Sequence, residues 1–153
     1  MIELDATDRK IVNLLQGDGR MTNADVAERV HLSQSACLRR VHRLQERGVI
    51  AGYAMLLNQE AVGLRTNVFV EVSLHSQSED RLDEFETAVR KVPAVMECYL
   101  MAGDADYLLR VAVTDVQDYE RIHKEYLSRL PNVSRIRSIF AMRTVYKGTT
   151  IEL

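Results

Sequence analysis

The segment Ser33-Gln34-Ser35-Ala36-Cys37-Leu38-Arg39-Arg40-Val41-His42-Arg43-Leu44-Gln45-Glu46-Arg47 sets four arginines against the single acid Glu46. Drawn on a wheel at about 100° per residue, Cys37, Val41 and Leu44 fall on one side, which predicts a helix that buries that face. Ser33 stands where an N-cap is needed and Gly48 where a helix of this length stops. The opposite side presents Ser35, Arg39, His42 and Glu46, flanked by Leu38 and Arg43. A guanidinium fork can bond a guanine edge at two points, a serine hydroxyl can meet a base or a phosphate, and a leucine can touch a thymine methyl. Ser33, Gln34 and the N–H groups at the helix start suit a phosphate. The candidate DNA contacts are therefore Ser33, Gln34, Ser35, Leu38, Arg39, Arg40, His42 and Arg43.

An arginine-rich face can also be merely solvated; what separates the two readings is the sequence upstream. Leu4-Asp5-Ala6-Thr7-Asp8 opens a first helix whose buried stripe is Ile11, Leu14 and Leu15 and whose end is Gly17. Thr22, with Asp25 three residues on, opens a second helix that buries Val26, Ala27 and Val30 and stops near His31-Leu32. Only a few residues then precede the basic helix, the spacing of a helix-turn-helix. Residues 1–50 thus read as a three-helix, winged-helix-like DNA-binding domain. Cys37 and His42 lie on opposing sides of one helix and cannot share a proton, and His31 and His42 have no further Cys or His at ligand spacing. Neither a catalytic residue nor a metal ligand is expected here.

Residues 51–65 read as a hinge strand and linker, because Val49 to Leu57 is continuous and β-compatible. From 66 to 153 the pattern changes again. Val68, Val70, Val72 and Leu74 alternate on one face of a strand. Ser78 starts a helix that Pro93 ends, and Val95–Met101 and Asp106–Val113 form two strands about Gly103, to which the turn assigns a positive φ. A helix over 115–130 and a last strand over 133–146 complete a βαββαβ order, the ferredoxin-like arrangement, so the chain is of α+β class. The face away from the helices would carry Phe69, Tyr99, Met101, Leu108 and Ala112. An exposed patch of this kind predicts a second copy as its cover. Glu71 and Arg110 share that side, where they could pair at the seam or form an ordinary edge ion pair.

With 20 Lys+Arg against 22 Asp+Glu, a net charge of −2, the chain does not bind nucleic acid by bulk attraction. Its 46% hydrophobic content is that of an ordinary globular protein, and no window has the apolar length of a membrane span. The start Met-Ile-Glu-Leu-Asp lacks the features of a signal peptide, so a cytoplasmic location is expected. Cys37 and Cys98 are too few for a disulfide framework and are both expected as buried thiols. Glu97, Asp104 and Asp106 could be drawn as a magnesium site. Yet no nucleophile, base and orienting group can be placed together, and no phosphate-cradling glycine loop exists, which excludes an enzyme.

Taken together, Leu4-Asp5 through Asp8-Arg9, Leu14-Leu15, Gly19-Arg20, Ala27, Val30, Leu32-Ser33, Cys37 to Val41, Leu44, Gly48-Val49-Ile50, Gly52-Tyr53 and Ala102 to Leu109 closely resemble the Lrp/AsnC bacterial transcription regulators. The resemblance covers essentially the whole chain. It implies a homodimer, assembling to an octamer of four dimers, that binds pseudo-palindromic sites in double-stranded DNA. It also implies a free amino acid as effector, with no other cofactor, bound between dimers at the sheet-domain hairpin. Carried onto this sequence, the effector region falls on Leu100, Met101, Ala102, Gly103, Asp104 and Asp106, with Ser138, Ile139, Phe140 and Ala141 of the last strand nearby. A carboxylate for the ammonium and free N–H groups for the carboxylate are what a zwitterion needs, and this hairpin can offer both. An aspartate at a tight turn can equally well bond its own backbone. Two readings of the DNA function stay open: a sequence-specific regulator, and an architectural protein with weak sequence preference.

Overall fold

The computed structural model describes residues 2–153, which divide into two compact units: residues 2–56 together with Tyr146–Leu153, and Leu57–Val145. The helical unit contains α1 (Ala6–Gly17), α2 (Asn23–Arg29) and α3 (Gln34–Glu46). Each helix opens on the residue whose side chain can accept the orphan N–H groups of a first turn. Asp5 accepts from the Asp8 N–H at 2.7 Å, Thr22 and Asp25 form a reciprocal capping box, and Ser33 accepts from the Ala36 N–H at 3.3 Å. Two of the three ends are Schellman turns. Gly48, at φ 70°, donates to the Gln45 carbonyl while Val49 donates to Leu44, as a left-handed C′ glycine requires. His31 fills the same place after α2 at φ 56°, with its N–H on Glu28 and that of Leu32 on Ala27. Ile11, Val26, Ala27, Cys37 and Leu44 form the fully buried centre.

The sheet unit holds β1 (Thr66–Leu74), α4 (Glu79–Val89), β2 (Val95–Leu100), β3 (Tyr107–Val113), α5 (Val116–Glu125) and β4 (Val133–Phe140). The strands are antiparallel in the order β2-β3-β1-β4. Val68, Val70 and Val72 of β1 and Tyr107, Leu109, Val111 and Val113 of β3 face Phe85 and Val89 of α4 and Tyr119 and Ile122 of α5. The ferredoxin-like order expected from periodicity is therefore present, with both helices on one face.

Several details differ from the sequence reading. Residues 51–65 contain no strand: a strand exists only by its ladder, and this segment finds no partner within the chain. Tyr53, Met55, Leu56 and Leu57 are all exposed there, up to 80% for Met55. The long helix over 115–130 stops at Glu125 and continues as a 3-10 turn, Leu127–Arg129, and the last strand ends at Phe140, opposite Val68, near the start of β1. Gly103 is not among the positive-φ residues. The connection is instead a wider loop closed by the Met101 N–H on the Asp106 carbonyl, which needs no left-handed residue at its centre. Cys37 is buried as expected, whereas Cys98 is exposed because β2 is the edge strand. Finally, residues 146–153 belong to the helical unit: the Gln16 side-chain amide donates to the Ile151 carbonyl and accepts from the Ile151 N–H, at 3.0 and 2.7 Å.

The sheet face away from the helices carries Phe69, Tyr99, Leu108 and Ile139 in adjacent strands. Ala112, assigned to this face, is buried nonetheless. Glu71 and Arg110 share the face but do not pair. Arg110 bonds Glu97 at 2.6 Å and Asn67 at 3.0 Å, and Glu71 takes Arg137 at 3.3 Å, because the register sets Glu71 opposite Leu108 on one side and Arg137 on the other.

Candidate nucleic-acid interface and effector region

The second helix and the capped start of α3 fix which side of α3 points outward. Ser35, Leu38, Arg39 and His42 are exposed along its outer side, Leu38 at 44%, and Gln34 is exposed at its start. The Gln34 carbonyl accepts the Asn23 side-chain amide at 2.9 Å, which ties the start of α3 to α2. Ser33 directs its hydroxyl at the cap, so it meets a phosphate only through what that bond leaves over. Among the described residues no ion pair holds Arg39.

Arg40 and Arg43 are different. Both guanidiniums turn to the N-terminus of α1, where Asp8 is buried with its side chain only 3% exposed. Arg40 Nη1 lies 2.7 Å from Asp8 Oδ1 and 2.6 Å from Asp5 Oδ2, and Arg43 Nη2 lies 2.9 and 3.1 Å from the two Asp8 oxygens. The bond from Arg40, followed by the Asp8 N–H, holds the Asp5 carboxyl below the usual carboxylate range; Asp5 and then Asp8 raise Arg40 in return. These two arginines therefore fasten α3 to α1; the rest of the outward contact set is Gln34, Leu38, Arg39 and His42, with the Ser35 hydroxyl bonded to that of Ser33 at 3.3 Å. A wheel drawn for α3 alone identifies what leaves the core. It says nothing of the acids waiting on another helix, although Asp5 and Asp8 at i, i+3 opposite a basic run were the available signal.

In the sheet unit, Leu100 at the end of β2 and Met101, Ala102, Gly103 and Asp104 of the β2–β3 loop are exposed. Asp106 is not: it is 9% exposed, and its carboxylate accepts from the Leu74 N–H and the Gln77 amide, both at 2.6 Å. Its side chain pins the loop to the end of β1. Asp106→Ala leaves a buried backbone donor unpaired and is expected to cost about 1–3 kcal/mol in urea unfolding, with or without an amino acid present. Asp104→Ala should leave the midpoint unchanged.

The last-strand candidates lie elsewhere. β4 is the opposite edge of the sheet from β2, three strand spacings or about 14 Å away, and 138–141 sit toward its Thr66 end. Ser138 and Ile139 also face opposite sides: Ser138 bonds the Tyr119 hydroxyl beneath the helices, and Ile139 lies on the open face beside Phe69. Phe140 stacks edge-on against Tyr119, and Ala141 donates to the Asn67 carbonyl. One chain thus does not bring 100–106 and 138–141 together. Among the described residues no group of three or more acids, histidines or cysteines could hold a metal ion, and no helix is long and apolar enough to cross a membrane.

Comparison with known proteins decides the family. The profile of the AsnC-type helix-turn-helix domain matches residues 4–45, and that of the Lrp/AsnC ligand binding domain matches residues 67–151. The chain belongs to the Lrp/AsnC family. This Lrp/AsnC protein is 43% identical over 149 residues to the leucine-responsive regulatory protein of Escherichia coli (strain K12), covering 97% of this chain and 91% of that protein. A transcriptional regulator of Neisseria meningitidis, solved as its complex with L-Met, superposes with a TM-score of 0.90 at 36% identity, covering 97% and 96% of the two chains. An AsnC family regulator from Agrobacterium tumefaciens gives 0.91 at 36% identity, with the same coverage. As a member of the Lrp/AsnC family, the protein is a DNA-binding transcriptional regulator with a ligand-binding domain; its relatives are regulators rather than enzymes.

Proposed function

We propose that this regulator reads specific sequences in double-stranded DNA through Ser35, Leu38, Arg39 and His42 of α3, and that a free amino acid biases its DNA binding and assembly. The observation that carries the reading is the division of labour on α3, where two arginines fix the helix and the remaining polar groups face outward on a rigid support. A homodimer, closing the open sheet face and assembling into an octamer, would present two such helices to pseudo-palindromic half-sites about one DNA turn apart. Such a partner puts the protein in the cytoplasm.

The effector site we propose centres on Met101, Ala102, Gly103 and Asp104, with Leu100 as apolar wall and Asp106 as the brace beneath. The Asp104 carboxylate would meet the ammonium and exposed loop N–H groups the carboxylate. Any contribution from Ser138, Ile139 or Ala141 comes from another copy. That the Neisseria meningitidis relative binds L-Met supports an amino acid as ligand.

Thermal unfolding in the presence of each of the twenty amino acids tests this, since a ligand of the folded state raises its stability, by about 2.7 kcal/mol at a hundredfold excess over Kd. A small subset should shift the transition and change affinity for promoter DNA measured against random competitor. If no amino acid does either, the effector reading fails; if competitor displaces promoter DNA equally well, the specific reading does.

A further inference from the structure

The α1–α3 clamp contains one acid more than fixing the helix requires. Asp8 is enclosed and receives both guanidiniums, while Asp5 stands at the rim with its side chain 51% exposed and, of the two guanidiniums, takes only that of Arg40. All the clamp bonds of Arg40 pass through Nη1 and all those of Arg43 through Nη2, so each fork keeps further N–H groups. Arg40 immediately follows Arg39 on α3 and is itself 28% exposed at the side chain. We propose that Asp5 is an intramolecular stand-in for a DNA phosphate: it occupies Arg40 in the free protein and is exchanged for the backbone when α3 docks, so that it sets DNA affinity downward. This rests on α3 being the reading helix.

The physical argument is one of exchangeability. A rim ion pair is weak and screened by salt, so a phosphate oxygen can replace its acid. The buried Asp8 carboxylate cannot leave without exposing the centre of the clamp, so Arg40 stays anchored while its outer bond changes partner. Asp5 also caps α1 through Oδ1, whereas Arg40 takes Oδ2, so giving up Arg40 leaves the cap intact. The Arg40–phosphate contact forms with or without the Asp5 charge, so Asp5 is read in affinity at fixed salt and Arg40 in the salt slope.

Asp5→Asn and Asp5→Ser both keep a capping acceptor and remove the charge. With the full-length protein and a promoter duplex, each should bind roughly fivefold to tenfold tighter near 0.1 M salt, with the slope of log K against log salt unchanged, since Arg40 meets the phosphate in both complexes. Arg40→Gln in the same backgrounds should abolish the gain and make the slope shallower by about 0.9. Unchanged affinity in Asp5→Asn overturns the proposal, as does a gain that survives Arg40→Gln, which would mean a diffuse charge effect. Arg39→Ala, run in parallel, separates the two levels. If it weakens binding while Asp5→Asn does nothing, only the stand-in is wrong; if it leaves binding unchanged, the reading helix is misassigned and the stand-in falls with it.

Discussion

Replacing Arg40 and Arg43 together with methionine is expected to destabilise the helical unit by about 3–5 kcal/mol. The reason lies in the carboxylate left behind. Asp8 is 2% exposed and its counter-charges are these two guanidiniums, so their removal strands a charge in a site water does not reach. The converse substitution is milder. Asp8→Ala leaves two arginines that are 28% and 48% exposed and can turn to solvent, and should cost about 1–3 kcal/mol. Replacing all three by apolar residues should recover much of the loss, since a well-packed apolar cluster avoids desolvating charge altogether. Urea unfolding followed by far-ultraviolet circular dichroism reads all of these. If Asp8→Ala proves costlier than the double arginine variant, the clamp contributes mainly attraction between its charges and the desolvation account is wrong.

Arg39→Ala is expected to give the largest loss of DNA binding, about 10- to 100-fold, because a bidentate contact to a base edge is worth roughly 1–3 kcal/mol of discrimination. Its signature should be local: relaxed preference at one position of each half-site, with stability and dimer content unchanged. Arg47, beyond the last turn of α3, serves as the comparison; as a phosphate contact its loss should weaken all sequences alike and make the salt slope shallower by about 0.9. A fluorescence titration of promoter and single-substituted duplexes distinguishes the two. Uniform weakening by Arg39→Ala would assign Arg39 to the phosphate backbone and leave base reading to Ser35, Leu38 and His42.

The parts of this protein that are legible in its sequence are those fixed by local chemistry. Thr22 and Asp25, Ser33 and Gly48 mark helix ends because caps act within four residues, and the valines of β1 mark a buried face because side chains alternate. What the sequence hides is every choice made between elements. On a wheel of α3 alone Arg40 and Arg43 stand unpaired, and the acids Asp5 and Asp8 that hold them come from another helix. Asp106 stands as a free carboxylate in the sequence, and the Leu74 N–H and Gln77 amide that bond it come from the end of β1 and the segment after it. Ser138 and Ile139 are neighbours in the chain but lie on opposite sides of a sheet, and their distance from the β2–β3 loop follows from strand order, which periodicity does not encode. The 51–57 segment fails for a related reason, since its apolar alternation announces a strand and leaves the partner unnamed.

The return of the last eight residues to the helices has a practical outcome for anyone dissecting the molecule. The sheet portion is one uninterrupted stretch of chain and could be produced as a single fragment, whereas the reading head is assembled from two stretches and a truncation after the hinge would strip Gln16 of its backbone partner. Residues 2–56 and 146–153 thus belong to the same half, so a fluorophore placed in either stretch reports on the helix-turn-helix unit, and labels meant for the ligand-binding domain belong between 57 and 145.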